Sequence, residues 1–480
     1  MLYYTLVDRL SPNSSVNVAE RLLEINNLDR ELFNYFQDKL LDSEQLSRTL
    51  VSFQGNKNQP VYRWYKYKEG FSVDLIVYLL EKYGIKQGKI LDPFAGSGTT
   101  LFAAAARGLS ADGIELLPIG QELIITRQIL ENGLNSDDIH RLEYWSNHSL
   151  WQQVDDKVKL LELPITQGAY PQENQACIES YLGLIAQENE RVQAILKFAL
   201  LSILESISYT RKDGQYLRWD YRSGKQQGKN IFDKGKILDF KTALHSKLRE
   251  ILADLEPSQQ QLELFSRDYP RGKIQLYQGS CLEILPEISS EKYDSIITSP
   301  PYCNRYDYTR IYALELALLG IDQLQLKQLR QQMLSCTVEN KPKELLKINE
   351  HWSPAIAITD RQKLLESILG YLEELKSSKA LNNHGIPRMI RGYFLEMSCL
   401  IYECFRVMKS SGIFCMINDN VRYGGASISV DLILSKIAEE IGFKVENILV
   451  VPQGKGNSSQ QMVSHGRESL RKCIYVWRKP

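Results

Sequence analysis

The chain has 480 residues, 43% of them hydrophobic and 24% charged, an ordinary globular composition but too long for one ordinary domain. The formal net charge is zero, which excludes a globally basic polyanion binder and confines any nucleic-acid contact to local patches. Eight scattered cysteines without a CxxC pair exclude a disulfide framework and a cysteine zinc site; the N-terminus lacks a signal-peptide pattern, and the most apolar helical stretch, 192–207, carries Lys197 and Glu205, so we expect a cytoplasmic protein with no membrane contact and no metal.

Residues 1–60 read as a polar helical extension, with apolar positions at helical spacing in Val18-Ala19-Glu20-Arg21-Leu22-Leu23 and at Leu32-Phe33. A basic, aromatic segment from Arg63 to Ser72 leads into a helix over 73–83. A strand over 89–91 then feeds the loop Asp92-Pro93-Phe94-Ala95-Gly96-Ser97-Gly98-Thr99-Thr100 and a helix to 107, and a second strand follows over 111–116. This is the β-α-β start of a parallel sheet.

Gly96 and Gly98 let the backbone approach a ligand closely in a strand-to-helix turn, and the helix behind them offers free N–H groups. The third glycine of a dinucleotide fingerprint is replaced by Leu101, and no Gly-Lys-Ser/Thr is present, so phosphate cradling is not expected. Glu115 ends the next strand, where its carboxylate can accept from both hydroxyls of a ribose. An unliganded glycine-rich turn is the bland alternative.

Residues 118–270 are mostly helical, with a long amphipathic stretch over 181–208. Within them, 209–236 concentrates Arg211, Lys212, Arg218, Arg222, Lys225, Lys229, Lys234 and Lys236 against Asp213, Asp220 and Asp233, interleaved with Tyr216, Trp219 and Tyr221. That mixture suits phosphate contacts and stacking, or else a solvated loop between helices.

Sheet signals resume at 273–278 and at 293–297, the second running into Thr298-Ser299-Pro300-Pro301-Tyr302. An exocyclic base amine is a poor nucleophile because its lone pair is delocalised into the ring. Acceptors around it, here the Ser299 hydroxyl and the Pro300 carbonyl, draw it towards tetrahedral geometry, while Pro300 and Pro301 stiffen the loop and Tyr302 offers a face for a base outside the duplex. A proline-rich turn after a core strand is the alternative. Asn304-Arg305-Tyr306-Asp307-Tyr308 follows, where Asn304 or Asp307 either reads a base or caps a helix. A second helical excursion spans 312–385, then a helix over 393–408 leads to a strand over 412–417 that ends near Asn418-Asp419-Asn420, at the ligand-collecting edge of the sheet. The last strands, 443–451 and 473–477, read as an antiparallel pair joined by a glycine-rich segment, 453–471, with Lys455, Arg467 and Arg471, either a DNA contact or a long hairpin.

Taken together, the two loops resemble those of the S-adenosylmethionine-dependent DNA amino-methyltransferases, which make N4-methylcytosine or N6-methyladenine. The resemblance implies an α/β fold, a Rossmann-like methyltransferase mixed sheet with two mainly helical insertions. It implies that Asp92, Phe94, Ala95, Gly96, Ser97, Gly98 and Thr99 form the cofactor loop, that Glu115 holds the ribose, and that Phe71 and Ser72 meet the methionine end. Ser280 and Cys281, after Gly279, stand where many members place an acid beside the adenine. Ser299, Pro300, Pro301 and Tyr302 are the implied catalytic loop, and serine at its first position is similar to the cytosine-N4 enzymes, whereas aspartate or asparagine is usual for adenine N6. Carbon-5 methylation needs a cysteine nucleophile, usually after proline; the chain has no Pro-Cys, and Cys303 is read as a bystander.

Arg211, Lys212, Arg218, Trp219, Arg222, Lys225, Asn304 and Arg305 are the expected DNA contacts. The implied partners are duplex DNA and a cognate restriction endonuclease or other defence protein. The alternatives are adenine-N6 methylation, RNA methylation, and an inactive DNA-binding subunit with a degenerate core. The expected layout is a helical extension (1–60), the cofactor half of the core (61–117), a helical insertion with the target-recognition candidate (118–270), the catalytic-loop part (271–311), a second helical insertion (312–390) and the rest of the sheet (391–480).

Overall fold

The computed structural model describes residues 12–152, 157–214, 216–226, 228, 231–255, 271–452 and 470–480, with backbone alone for 12–17. A helix, Pro12–Tyr35, precedes the short strand β1 (Leu40–Asp42). After the helix Val73–Lys82 come β2 (Lys89–Asp92), the helix Thr99–Ala105, β3 (Ser110–Glu115) and the helix Pro118–Glu131. Helices Ser136–Asn147, Gln172–Ile185 and Glu190–Ile207, a hairpin of β4 (Thr210–Asp213) and β5 (Tyr216–Trp219), and the helix Phe240–Leu255 separate these from β6 (Ile274–Gln278) and β7 (Tyr293–Thr298). Further helices, ending with Lys363–Ser377 and Ile386–Val407, lead to β8 (Met408–Asp419), a small hairpin of β9 (Val421–Tyr423) and β10 (Ala426–Ile428), the helix Val430–Ile441, β11 (Lys444–Val450) and β12 (Lys472–Arg478).

Eight strands form one sheet in the order β6-β3-β2-β7-β8-β12-β11-β1. All neighbours are parallel except the pairs made by β12, which runs against β8 and β11. This is the Rossmann-like mixed sheet that the resemblance implied. Its strands are apolar on both faces because helices cover both. Along β8, Phe414 and Met416 join the core under helices Ile386–Val407 and Val430–Ile441, while Ile413, Cys415 and Ile417 join the opposite core under Val73–Lys82 and Thr99–Ala105. β12 alternates in the same way, with Tyr475 and Trp477 on one side and Ile474 and Val476 on the other.

A third core holds the helical additions together. It joins Leu142, Trp145, Tyr181, Leu200 and Leu244 to Ile311, Leu316 and Leu326, so residues on both sides of β6 and β7 share one apolar interior. The helix Pro118–Glu131 bridges this core and the sheet: Ile119 and Leu123 face the additions and Ile124 faces the sheet. The later part of the second excursion, with Leu364, Ile368 and Tyr371, instead packs with the sheet core.

Several elements differ from the sequence pattern. The first sixty residues include β1, which pairs in parallel with β11 at the sheet edge. The amphipathic stretch over 181–208 lies in two helices, because the Asn189 side chain accepts from the N–H groups of Arg191 and Val192 (both 3.1 Å) and starts Glu190–Ile207 afresh. The basic segment contains the β4–β5 hairpin rather than an irregular loop. Among the described residues no helix is long and apolar enough to cross a membrane, and no cluster of three or more His, Cys, Asp or Glu side chains is grouped to hold a metal.

Candidate active site

β2 and β7 are neighbours, and the chain leaves them in opposite directions along the sheet, towards β3 on one side and β8 on the other. Loops at the carboxyl ends of such strands diverge and open a crevice. At the end of β2 the Asp92 carboxylate is buried and accepts from the Phe94 N–H (3.0 Å) and from the Thr298 hydroxyl at the end of β7 (2.6 Å). Burial lifts its carboxyl to about 6, against the pull of the Thr298, Thr100 and Phe94 donors.

The turn after Asp92 is left-handed at Gly96 (φ +54°) and at Gly98 (φ +79°), which caps the helix Thr99–Ala105. Glu115, at the end of β3, reaches over and accepts from the N–H groups of Gly96 (2.6 Å) and Leu117 (2.7 Å). Its burial outweighs those two donors and pushes the carboxyl up to about 7. Gly120 makes that reach possible, since a Cβ there would lie 2.6 Å from the Gly96 carbonyl oxygen and 2.7 Å from Glu115 Cγ. Sequence reasoning passed over Gly120, for which a glycine inside a predicted helix was the one available signal.

The second loop hangs from β7. Ser299 Oγ has one proton and two acceptors within 3.2 Å, the Ile417 carbonyl on β8 and the Tyr302 hydroxyl. Tyr302 OH also accepts from Lys472 Nζ (3.2 Å), at the start of β12, and Lys472 pairs with Asp419 at the end of β8 (3.3 Å). Burial raises the Tyr302 phenol, opposed by the charge of Lys472. The Tyr423 hydroxyl donates to the Cys303 carbonyl (2.8 Å) and holds the loop from below. The Cys303 thiol is fully buried, and burial pushes its pKa up, which disfavours the nucleophilic thiolate.

Both loops face one cavity of about 560 Å³. Phe71, Phe94, Ala95, Gly96, Ser97, Thr99, Glu115, Ser280 and Cys281 line it together with Ser299, Pro300, Pro301, Tyr302 and Asn304. Asp419 and Asn420 also line it, whereas Asn418 turns away to donate to the Tyr393 hydroxyl (2.8 Å). Ser72, Asp92 and Gly98 act from behind the wall. Ser72 caps the helix Val73–Lys82 and donates to the Leu50 carbonyl (2.7 Å). Asp307 takes the capping role, accepting from the N–H groups of Thr309 and Arg310, and pairs with Arg330 (3.0 Å).

The wall also holds Tyr67, Lys68 and Glu69, which the motifs did not single out. Tyr67 stacks on Tyr312 (centroids 5.3 Å apart), and the Glu69 carboxylate accepts from the hydroxyls of Tyr306 and Tyr312. Gly214, at the turn of the β4–β5 hairpin, reaches the same cavity.

The basic segment divides in two. Lys212, expected at a phosphate, is buried instead: its ammonium pairs with buried Glu315, close to the Tyr65 hydroxyl (3.2 Å) and over the Tyr312 ring. It is therefore withdrawn from the DNA-contact set, because a cation so enclosed cannot meet a phosphate without breaking its pair. Lys234 likewise donates to the carbonyls of Glu205 and Ser208, and burial lowers its pKa to about 8. Arg222 grips buried Asp220 (2.6 and 2.9 Å) and Arg218 lies over Phe232 (4.1 Å), both with part of the side chain exposed; Lys225 lies over Trp219 (4.9 Å). Arg211 is exposed, and Arg305 sits at φ +67° beside the Ser299–Tyr302 loop but not in the cavity wall. Lys229 and residues 453–469 of the other basic candidate lie outside the described residues; Arg471 pairs with buried Asp431 (2.8 Å).

The family described as DNA methylase matches residues 12–123 of this chain. Type II methyltransferase M.AvaI of Nostoc sp. is 57% identical over 458 residues, covering 95% of this chain and 94% of the relative. Type II methyltransferase M.BsoBI of Geobacillus stearothermophilus is 40% identical over 466 residues (92% and 89%), and type II methyltransferase M.MvaI of Kocuria varians 23% over 432 (86% and 88%).

The Lys212 assignment is testable through stability. Lys212→Met leaves Glu315 buried without its cation and should cost about 3–5 kcal/mol in urea denaturation, whereas Lys225→Met should stay within about 0.5 kcal/mol. A neutral Lys212→Met would restore it to the candidate DNA face.

Proposed function

Because the chain belongs to the S-adenosylmethionine-dependent DNA amino-methyltransferases of the N4/N6 family, alongside the type II methyltransferases, we propose that it methylates the N4 amine of cytosine in duplex DNA, on a base flipped out of the helix. The observation that carries amine methylation is Ser299: its hydroxyl proton has protein acceptors in Ile417 and Tyr302, so its lone pairs are left for an amine in the cavity, and serine rather than aspartate or asparagine at this position favours cytosine.

The residues present fit the cofactor. A bare backbone at Gly96 permits close approach, Phe94 and Ile114 offer apolar surface, and Glu115 offers a carboxylate for ribose hydroxyls, with Ser280 and Cys281 at the adenine end and Phe71 at the methionine end. Bound S-adenosylmethionine supplies a methyl group activated by its sulfonium. The chain itself supplies orientation and electrostatics. Ser299 and the Pro300 carbonyl accept from the target amine and draw its lone pair out of conjugation, Tyr302 stacks on the base, and Pro301 keeps the loop stiff. No residue forms a covalent intermediate.

Arg211, Arg218 and Trp219 on the hairpin and Arg222 and Lys225 just after it, with Asn304 and Arg305, make the proposed DNA surface, the charged groups meeting phosphates and the aromatic one stacking. We further assign the protein to the cytoplasm as the modifying partner of a restriction endonuclease. Adenine N6 is the competing amine.

Digestion of methylated duplex to nucleosides, followed by mass spectrometry, separates the two. N4-methylcytosine is expected and N6-methyladenine would overturn the base assignment, and Ser299→Ala should yield neither while still binding cofactor.

Cofactor affinity should also depend on pH. The Glu115 carboxyl, lifted by burial to about 7, accepts with both oxygens when ionised, and protonation turns one of them into a donor. Affinity for S-adenosylmethionine is therefore expected to fall, by up to about tenfold, as pH drops from about 8 to 6, with Asp92 adding to the loss near its own value of about 6. Folding stability runs the other way: the raised folded value favours the fold at low pH, and that gain disappears as pH rises through about 7. Calorimetric titration across this range should give a sloping profile for the wild type and a flatter one for Glu115→Gln; equal slopes would remove Glu115 from the cofactor.

A further inference from the structure

The backbone that carries Lys472 is clamped on both sides. The Asn420 N–H donates to the Arg471 carbonyl (3.0 Å), the Val451 N–H donates to the Lys472 carbonyl (2.9 Å), and Lys472 stands opposite Asp419 in the β8–β12 ladder. The neighbouring Arg471 is locked to buried Asp431 by two hydrogen bonds (2.8 and 3.1 Å). From this fixed root the Lys472 ammonium reaches Tyr302 OH at 3.2 Å, stands 5.0 Å from the ring centroid, and pairs with Asp419 at 3.3 Å.

We propose that Lys472 is a positioning residue for methyl transfer, acting through Tyr302 to keep Ser299 an acceptor towards the target amine. This rests on the reading of Ser299–Tyr302 as the catalytic loop. An ammonium can only donate, so the phenol oxygen facing it must accept. With Lys472 on one side, the remaining acceptor capacity of that oxygen takes the Ser299 proton, or Ile417 takes it, and the free lone pairs of Ser299 face the cavity. Tyr302 keeps its own proton, and Lys472 anchors the phenol oxygen where it accepts from Ser299; without that anchor the phenol, a stronger proton donor than an alkyl hydroxyl, is free to reorient, turn its proton onto Ser299 and occupy the lone pair the amine needs. Asp419 balances the ammonium, so the pair adds little net charge beside an amine that becomes cationic as the methyl group arrives.

The test compares Lys472→Met, Lys472→Arg and the double variant Lys472→Met/Asp419→Asn with Ser299→Ala, using full-length enzyme, duplex DNA and S-adenosylmethionine. Lys472→Met should lower kcat by at least about tenfold, with KM for DNA and cofactor affinity within about twofold. The double variant, which removes the negative charge that Lys472 balances and so guards against misfolding, should be as slow, because it returns no ammonium to Tyr302. Lys472→Arg should recover to within about threefold of wild type. A raised KM for DNA and a shallower salt dependence at unchanged kcat would make Lys472 a phosphate contact and overturn the proposal, as would unchanged kinetics. If Ser299→Ala itself turns over normally, the loop reading fails and the proposal falls with it; if only Lys472→Met does, the loop reading stands and the role of Lys472 alone is lost.

Discussion

One buried hydrogen bond, from the Thr298 hydroxyl to the Asp92 carboxylate, joins two loops that lie 206 residues apart in the chain. It spans the ends of β2 and β7, adjacent parallel strands at the point where the sheet order turns. Parallel strands bring their carboxyl ends to one edge, so the fold delivers a glycine loop and a Ser-Pro-Pro-Tyr loop to the same crevice without either loop having to be long. What the sheet does not set is their relative orientation at the scale of a bond. The Asp92–Thr298 contact sets it, in an interior where a carboxylate deprived of its donors would be costly. Burial raises the carboxyls of both Asp92 and Glu115 around the glycine loop.

The helical additions are tied to that crevice by further buried polar contacts. The segment before Phe71 is caught between them and the sheet: Asp254 accepts from the Trp64 indole (2.6 Å) and the Arg63 guanidinium, the Tyr65 hydroxyl donates to Glu315 (2.9 Å), and Glu69 collects two tyrosine hydroxyls. Lys212 completes this set by carrying the β4–β5 hairpin onto Glu315, which leaves Gly214 at the cavity. A surface that binds DNA through the hairpin would thus be coupled to the cavity through packed groups rather than through a loose tether.

The parts of the molecule legible in the sequence are those whose constraints are local. Gly96 and Gly98 sit where left-handed backbone is required, Pro300-Pro301 stiffens its own turn, and the strands around them are apolar runs buried on both faces. The parts that were not legible depend on partners far along the chain. Eight basic residues over 209–236 look alike in sequence, yet Lys212 finds Glu315, 103 residues on, and leaves the surface, while Arg218 stays there. Gly120 matters because Gly96 and Glu115 fold back over it, and Lys472 matters because β12 enters the sheet beside β8. β1, three residues long, is too short to show a period at all.

The coupling of the two loops is tested most directly by turnover of Thr298→Val at saturating cofactor and DNA, with Thr298→Ser as the control that keeps the hydroxyl. If the Asp92–Thr298 bond sets the relative geometry of the loops, Thr298→Val loses at least about tenfold in kcat, a barrier increase of about 1.4 kcal/mol, and Thr298→Ser stays within about twofold of wild type. Near-wild-type turnover by Thr298→Val would contradict this and leave the sheet alone to hold the two loops in register.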